Sequence, residues 1–369
     1  MDLYRGIFRQ ILFGIDAERA HVSTLAACRA AARVPFLRRA LSRYFAFNDP
    51  RLRTRVAGIV FPNPVGLAAG FDKNGVALET LASAGFGALE VGSVSARASA
   101  GNPARPRLFR LPQDGALLVY YGVPNDGAQA IAARLARSRP GVPVGVSLVE
   151  TNTGHVVPLE RVVDELAEAV RPFVTLADYL VLNLNCPNTN GGANPLNAPA
   201  NLRLLLEGLR GVEHLPPLFL KFMAPREPSA IDAMLSAVDP YVFVKGFILN
   251  VVPPRPCAGM RTPSVEYERL PGSITGAPLT PLVCELLRIW YPRIDRGRHV
   301  LVGVGGIASA EDAYRMIRLG ASLVQVLTAL VYRGPGLVKC IKRGLLRLLE
   351  RDGLNNISQA VGVDHPLRA

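Results

Sequence analysis

The chain has 369 residues, of which 49% are hydrophobic and 19% charged, and its mean hydropathy is +0.22. This composition excludes a disordered chain, and 34 Gly and 30 Pro without a G-X-Y period exclude collagen. Lys and Arg outnumber Asp and Glu by 42 − 29 = 13, so the chain is strongly basic. Such a chain attracts nucleic acid, anionic lipid or acidic substrates, or simply carries many surface Arg residues.

The first 45 residues predict amphipathic helices. Apolar residues recur at helical spacing near the start, and further helical stretches cover roughly 17–33 and 36–44. Residues 1–58 contain eleven Arg and four acidic residues. Either the apolar face packs on the main domain, or the segment lies in a membrane interface with Arg facing lipid phosphates, and both can hold at once.

After residue 58 the chain alternates short apolar runs with helix-like segments. Eight runs have the pattern of buried parallel strands: they cover 65–69, 88–94, 143–148, 179–185, 218–222, 244–250, 299–305 and 323–328. This alternation predicts an α/β fold, a (β/α)₈ TIM barrel with an N-terminal helical extension, with a doubly wound sheet as the alternative. Two long connections, 95–142 and 251–298, follow strand ends and could line or cover a site.

We therefore expect three parts in the chain. Residues 1–45 form an amphipathic helical segment that packs on the main domain or contacts a membrane, residues 46–345 form the barrel, and residues 346–369 form a C-terminal tail. The five cysteines lie far apart without a CxxC pair, which predicts neither a disulfide framework nor a zinc site and favours a reducing cytosol. No apolar run reaches the ~18 residues that a transmembrane helix requires, and the N-terminus lacks a signal-peptide cleavage site.

Barrel active sites lie where the strands end, so the residues after each predicted strand are the candidates. The loop GVGGI, with Gly305 and Gly306, opens a helix and has the form of a phosphate-binding turn. Only five residues are Lys, and two of them, Lys73 and Lys221, fall at this rim, where a Lys can hold an anion. Cys186 lies in a polar loop between two Asn and is a candidate base or nucleophile.

The strand ends also exclude some chemistry. No His follows a predicted strand, which argues against a Ser/His/Asp triad. No cluster of carboxylates and His has the spacing of a metal site. We therefore predict no metal.

Several motifs together resemble one enzyme family. They are DAERAH, FPNPVGLAAGFDKNG, GFGALEVGSV, GNPARPRLFRL, NLNCPNT, GSITGAPL, GVGGI and GASLVQV. The chain, from about residue 3 to 345, resembles the class 2 dihydroorotate dehydrogenases, which are membrane-associated, quinone-dependent FMN enzymes of pyrimidine synthesis. The resemblance implies oxidation of dihydroorotate to orotate, with FMN as cofactor, a quinone as electron acceptor, no nucleic acid as partner, and a cytoplasmic, peripheral location on the inner face of the cell membrane.

The resemblance also implies residue roles. Cys186 corresponds to the general base that takes a proton from C5 of the substrate, where class 2 enzymes use Ser and class 1 enzymes use Cys. Lys73 corresponds to the lysine near the flavin and the substrate carboxylate, and Lys221 to the lysine at the flavin N1/O2 pole. The implied cofactor-binding residues are Ala69, Gly70, Lys73, Ser93, Ser147, Asn183, Lys221, Gly276, Gly305, Gly306 and Thr328. The implied substrate positions are Lys73, Val119, Asn183, Asn188, Thr189 and Asn250, and the quinone tunnel corresponds to His21, Arg110 and Leu327.

Some of these positions depart from the family pattern. Val119 and Pro124 stand where the family has substrate-loop asparagines, Ser147 stands for a flavin-contacting Asn, Val251 for a hydroxyl residue and Leu327 for a tunnel Tyr. A site that hydrogen-bonds its ligand loses ~1–3 kcal/mol with each lost partner. Three hypotheses follow: a quinone-linked dihydroorotate dehydrogenase with an unusual pocket, a paralogue acting on a less polar substrate, and a non-catalytic flavin- or membrane-binding protein.

Overall fold

In this computed structural model, residues 4–184 and 195–365 are described. Eight parallel strands close into a barrel in chain order, which confirms the TIM-barrel prediction. The strands of the described residues are β1 (Thr54–Val56), β2 (Ile59–Phe61), β3 (Val65–Leu67), β4 (Ala88–Val94), β5 (Leu108–Leu111), β6 (Ala116–Val119), β7 (Val144–Leu148), β8 (Tyr179–Asn183), β9 (Leu218–Met223), β10 (Val244–Asn250), β11 (Ser273–Gly276), β12 (Val300–Val304) and β13 (Ala321–Val326). The barrel consists of β3, β4, β7, β8, β9, β10, β12 and β13.

Each predicted barrel strand is present within about two residues of its expected start. For example, β12 begins at Val300, one residue after the predicted start at His299. The helices surround the barrel, and those of the described residues are α1 (Arg9–Phe13), α2 (Ala17–Ala32), α3 (Pro35–Phe45), α4 (Leu78–Ala82), α5 (Ala128–Leu135), α6 (Leu159–Val170), α7 (Pro199–Leu209), α8 (Pro228–Val238), α9 (Thr280–Trp290), α10 (Ala310–Arg318), α11 (Thr328–Arg333) and α12 (Leu337–Arg351). A π-helical turn, Tyr4–Phe8, precedes α1.

Hydrophobic burial divides the core into two parts. The larger part lies between the strands and the surrounding helices, and the smaller part fills the barrel at the amino ends of its strands. The short hairpin of β1 and β2 closes that lower end with Phe61, which lies 6.3 Å from Tyr179 between ring centres. Apolar side chains therefore pack the amino end of the barrel, where the described residues leave a space of only about 10 Å³.

The two long connections meet at those carboxyl ends. The first contains β5 and β6, the second contains β11, and the three strands form one antiparallel sheet in the order β11, β6, β5. Val119 at the end of β6 pairs with Ser273 and with Leu108. The sheet therefore lies at the mouth of the barrel as one wall.

The N-terminal helices cover this wall. Helix α2 packs against α4 and β5, and Asp16 caps its first turn by accepting a hydrogen bond from the Arg19 amide at 2.9 Å. Many large apolar side chains of this segment remain exposed: Ile7, Phe8, Ile11, Ile15, Val22, Val34, Phe36, Leu37 and Tyr44. No helix among residues 4–184 and 195–365 has both the length and the apolar character to cross a bilayer.

The C-terminal residues pack onto the barrel. Helix α12 continues to Arg351, past the expected boundary at residue 345. The last described turn buries Ile357 and Ala360. Residues 346–360 are therefore part of the folded body, because their apolar side chains complete the helical layer.

Candidate functional site

A cavity of about 450 Å³ lies at the carboxyl ends of the barrel strands, between the barrel, the three-stranded sheet and the N-terminal helices. Most residues predicted to bind cofactor, substrate or quinone line it. They are His21, Ala69, Gly70, Lys73, Ser93, Arg110, Val119, Asn183, Lys221, Asn250, Gly276, Gly305, Gly306, Leu327 and Thr328. Ser147 does not line the cavity, and Cys186, Asn188 and Thr189 lie outside the described residues.

Two polar side chains of the barrel strands, Ser93 and Asn183, line the cavity, and Ser147 lies behind Ser93. The hydroxyl oxygens of Ser93 and Ser147 lie 2.8 Å apart, and Asn183 donates a hydrogen bond from Nδ2 to Ser93 Oγ at 3.0 Å. Ser147 thus acts from behind Ser93, since it is fully buried within β7. The buried Oδ1 of Asn183 has no partner among the described residues, which is typical of a side chain that awaits a ligand.

Lys73 lies in the loop that follows β3. Its Nζ donates to the carbonyl of Gly70 at 2.8 Å and stands 4.1 Å from the ring centre of Tyr121. Gly70 adopts a φ of +107°, a conformation that glycine tolerates and that turns the loop toward the rim. Burial lowers the pKa of Lys73 to about 8, so the amine titrates just above neutral pH.

A second lysine and a buried carboxyl lie beside the cavity inside the barrel. Lys221 on β9 lines the cavity, and Glu90 on β4 is 1% exposed. Gln325 on β13 donates a hydrogen bond to Glu90 Oε2 at 2.6 Å. Burial raises the pKa of Glu90, while the positive charge of Lys221 opposes that rise.

Backbone turns form a cradle on the opposite side of the cavity. Gly305 and Gly306 follow β12 with φ values of +106° and +82°, and Gly276 ends β11 with a φ of +103°. The hydroxyls of Thr328 and Thr275 lie 3.0 Å apart at the same edge. Backbone amides exposed in such turns bind phosphate, as at the seventh and eighth strands of other barrels.

The cavity continues between the barrel and the N-terminal helices, where it becomes apolar. Leu12, Phe13 and Leu327 line this part together with His21, whose ring packs edge-on against Phe71 at 5.2 Å. Burial, and then the charge of Lys73, lower the pKa of His21 to about 3, so its imidazole is neutral at physiological pH. Arg110 stands at the outer end, where it donates to the carbonyls of Ile15 and Leu12 at 2.8 and 2.9 Å.

Sequence reasoning missed several residues that line this cavity or contact the residues that line it. Tyr121 lies beside Lys73, and Gln325 joins Glu90, yet neither was singled out from the sequence. Glu18 lies in the motif DAERAH and Arg107 in the motif GNPARPRLFRL. Membership in these motifs was the only sign in the sequence that the two residues matter. Their pairing depends on a contact between residues 89 positions apart.

The closed parallel barrel with a large cavity at its carboxyl ends defines the class of protein, a (β/α)₈-barrel enzyme. Comparison with known proteins then narrows the class. A family model described as Dihydroorotate dehydrogenase matches residues 51–349. The chain therefore belongs to the dihydroorotate dehydrogenase family of flavin-dependent oxidoreductases, as the motifs predicted.

Individual relatives agree with this assignment over almost the whole chain. A dihydroorotate dehydrogenase (quinone) from Halobacterium salinarum is 41% identical over 362 residues, covering 97% of this chain and 99% of its own. One from Roseiflexus sp. is 39% identical over 362 residues, covering 97% of both chains. The crystal structure of a ligand-free DHODH from Eimeria tenella has a TM-score of 0.79 at 28% identity and covers 95% of this chain and 100% of its own. These relatives place the chain in the class 2 branch.

Proposed function

We propose that this protein oxidises dihydroorotate to orotate with FMN as cofactor and passes the electrons to a quinone. The observation that carries the proposal is that one cavity has a polar end and an apolar end. A polar end contains Lys73, Asn183 and Lys221, and an apolar end leads between the N-terminal helices. The names of the relatives, dihydroorotate dehydrogenase (quinone), support the same activity.

The residues present fit FMN. The positive-φ turns at Gly276, Gly305 and Gly306, with the Thr328 hydroxyl, suit the phosphate, because all four residues line the cavity and glycine turns leave backbone amides open to an anion. A Cβ at Gly306 would collide with Thr280 and displace this turn. Ser93, Asn183 and Lys221 suit the polar edge of the ring system, and the unpartnered Asn183 Oδ1 offers it an acceptor. Ala69 and Gly70 leave room beside it, and Ser147 holds Ser93 in place. When bound, FMN supplies the two-electron acceptor for the substrate.

On the substrate side, the protonated Lys73 binds the carboxylate, and Asn250 and Asn183 hydrogen-bond the ring. Asn188 and Thr189 complete this set in our proposal, on the basis of the family motif NLNCPNT. Cys186 of the same motif takes the proton from C5. Its replacement by Ala should lower turnover by about 10²-fold or more while the yellow cofactor stays bound. Full activity in Cys186→Ala would exclude this base.

The apolar end of the cavity provides the route for the quinone. His21 is neutral there, Leu327 and Phe13 are apolar, and Arg110 stands where the route opens. The exposed apolar side chains around α1 to α3, set among eleven Arg in residues 1–58, suit the interface of an anionic membrane. We propose that the protein binds the inner face of the cell membrane peripherally through residues 1–45.

Anaerobic reduction of the purified holoenzyme tests the activity. Dihydroorotate should bleach the visible flavin band, and a quinone added afterwards should restore it. A flavin that dithionite bleaches but dihydroorotate does not would overturn the proposed substrate. A protein without reducible flavin would overturn the enzymatic proposal as a whole.

A second candidate function is the dehydrogenation of a less polar substrate. The observation that favours it is the apolar wall of the cavity, which contains Val119, Val123, Val251 and Val252. The same anaerobic experiment separates the two candidates. If dihydroorotate leaves the flavin oxidised, the first candidate is excluded and the less polar substrate remains. Less polar cyclic compounds should then bleach it.

Flotation with vesicles tests the membrane proposal. The full chain should float with phosphatidylglycerol vesicles and remain free with phosphatidylcholine vesicles. A chain that lacks residues 1–45 should not float with either. Equal flotation of the two chains would exclude the N-terminal segment as the anchor.

A further inference from the structure

The ring of Tyr121 has two cations near it. Lys73 Nζ stands 4.1 Å from the ring centre, and the guanidinium carbon of Arg107 stands 5.3 Å from it. Both distances fall within the range of cation–π attraction. Tyr121 follows β6, and its buried hydroxyl has no partner among the described residues, so the aromatic ring is its contribution at this place.

Two cations on one ring repel each other unless one of them is neutralised. Arg107 is 4% exposed and forms an ion pair with Glu18, which is 7% exposed. The Arg107 Nε donates to Glu18 Oε2 at 3.3 Å, and its Nη1 donates to the carbonyl of Ala100 at 2.8 Å. The pair is therefore fixed on several sides, as a buried ion pair must be.

Glu18 belongs to the first turn of α2, whereas the three other residues belong to the barrel and its sheet. The only acidic group that pairs with Arg107 among the described residues thus comes from the N-terminal segment. We propose that Glu18, Arg107 and Tyr121 form a positioning chain through which the seating of α2 holds Lys73 at the cavity. This inference rests on the proposed function only in its assumption that Lys73 binds the substrate. It connects the N-terminal helices, on the proposed quinone side, with that lysine.

This arrangement of Glu18, Arg107 and Tyr121 predicts how the pKa of Lys73 responds to changes in its neighbours. Burial lowers the pKa of Lys73, Arg107 lowers it further, and Asp72 and Glu18 raise it. His21, which also faces Lys73, is neutral above pH 3. Removal of the Glu18 charge leaves Arg107 uncompensated, so the pKa of Lys73 should fall. Loss of the Tyr121 ring should lower it too, because the ring stabilises the ammonium form.

Lysine-selective NMR reads this response without any substrate. The chain has only five Lys, so [ε-¹³C]lysine labelling of the holoenzyme gives few signals, and Lys73→Arg identifies the one from Lys73. In Glu18→Gln and Tyr121→Leu the Lys73 signal should titrate about half a unit to one unit lower than in the wild type. In Tyr121→Phe, which keeps the ring, and in the control Glu213→Gln, an exposed acid distant in sequence, it should titrate as in the wild type.

An unchanged Lys73 titration in Glu18→Gln would overturn the link to α2. If that variant does not fold, an unchanged Lys73 titration in Tyr121→Leu is enough to exclude the proposed positioning chain. If the pKa of Lys73 also fell in Glu213→Gln, the effect would come from net charge, and the proposed positioning chain would be excluded. Because the NMR titration needs neither dihydroorotate nor a quinone, failure of the proposed activity would leave its outcome readable.

Discussion

Gln325 donates a hydrogen bond of 2.6 Å to Glu90 across the interior of the barrel. The two residues lie on β13 and β4, which flank β3, and β3 has Gly66 at the level of Gln325. A Cβ at Gly66 would lie in ordinary van der Waals contact with Gln325 Cγ, at 3.6 Å. The carboxyl of Glu90 and the amide of Gln325 thus meet across the position of Gly66, within reach of the charge of Lys221.

Glu90→Gln should change the pH dependence of stability. Burial raises the pKa of Glu90 in the folded state, so the folded chain holds its proton to a higher pH than the unfolded chain. The free energy of unfolding should therefore fall as the pH rises from the unfolded value, about 4.3, toward the raised folded value. Thermal unfolding between pH 4 and 8 should show this loss in the wild type and a smaller one in Glu90→Gln, with Glu213→Gln as the control. Parallel profiles for Glu90→Gln and the wild type would contradict the shift.

Lys73 should impose an upper pH limit on the binding of carboxylate ligands. Its pKa is about 8, and only the ammonium form attracts an anion. The affinity for orotate, followed by the flavin absorbance, should therefore weaken about tenfold per pH unit above 8. Lys73→Arg keeps its charge throughout and should show no inflection near pH 8. Were the wild-type affinity the same at pH 7 and pH 10, Lys73 would not be the carboxylate partner.

Gly306→Ala should release the cofactor without unfolding the barrel. The residue has a φ of +82°, and an added Cβ would collide with Thr280 and displace the turn that we propose binds the phosphate. Gly259→Ala is the matched control, since Gly259 has a φ of +78° but no atom within 4 Å of an added Cβ. The ratio of flavin to protein after gel filtration measures the effect. Equal flavin content in the two variants would place the phosphate elsewhere.

Val119→Asn should strengthen the binding of orotate. Val119 lines the cavity at the end of β6 and offers no hydrogen bond to a polar ring. A new hydrogen bond there should add about 0.5 to 1.5 kcal/mol, which is roughly a 2- to 13-fold gain in affinity. Val242→Asn, at a residue that is 70% exposed, serves as the control. An affinity that does not change in Val119→Asn would show that this wall does not face the substrate.

Local patterns in the sequence were enough to predict the barrel and most of its rim. Buried parallel strands appear as short apolar runs, so 88–94 and 244–250 could be placed to the residue. Once the strands were known, Lys73, Lys221 and Gly306 followed, because parallel strands all end at the same side of a barrel. The roles of Cys186, Asn188 and Thr189 came from the family motif and stay predictions.

The contacts behind that rim were decided by the tertiary structure. Ser147 supports Ser93 across two strands, Gln325 reaches Glu90 past a glycine, and Glu18 crosses from α2 to Arg107. The two long connections also pair with each other in one sheet, which neither sequence segment indicated by itself. Periodicity reports only which face of a strand or helix is buried. Which distant residues meet there depends on strand register and on how the layers pack, and these are properties of the whole fold.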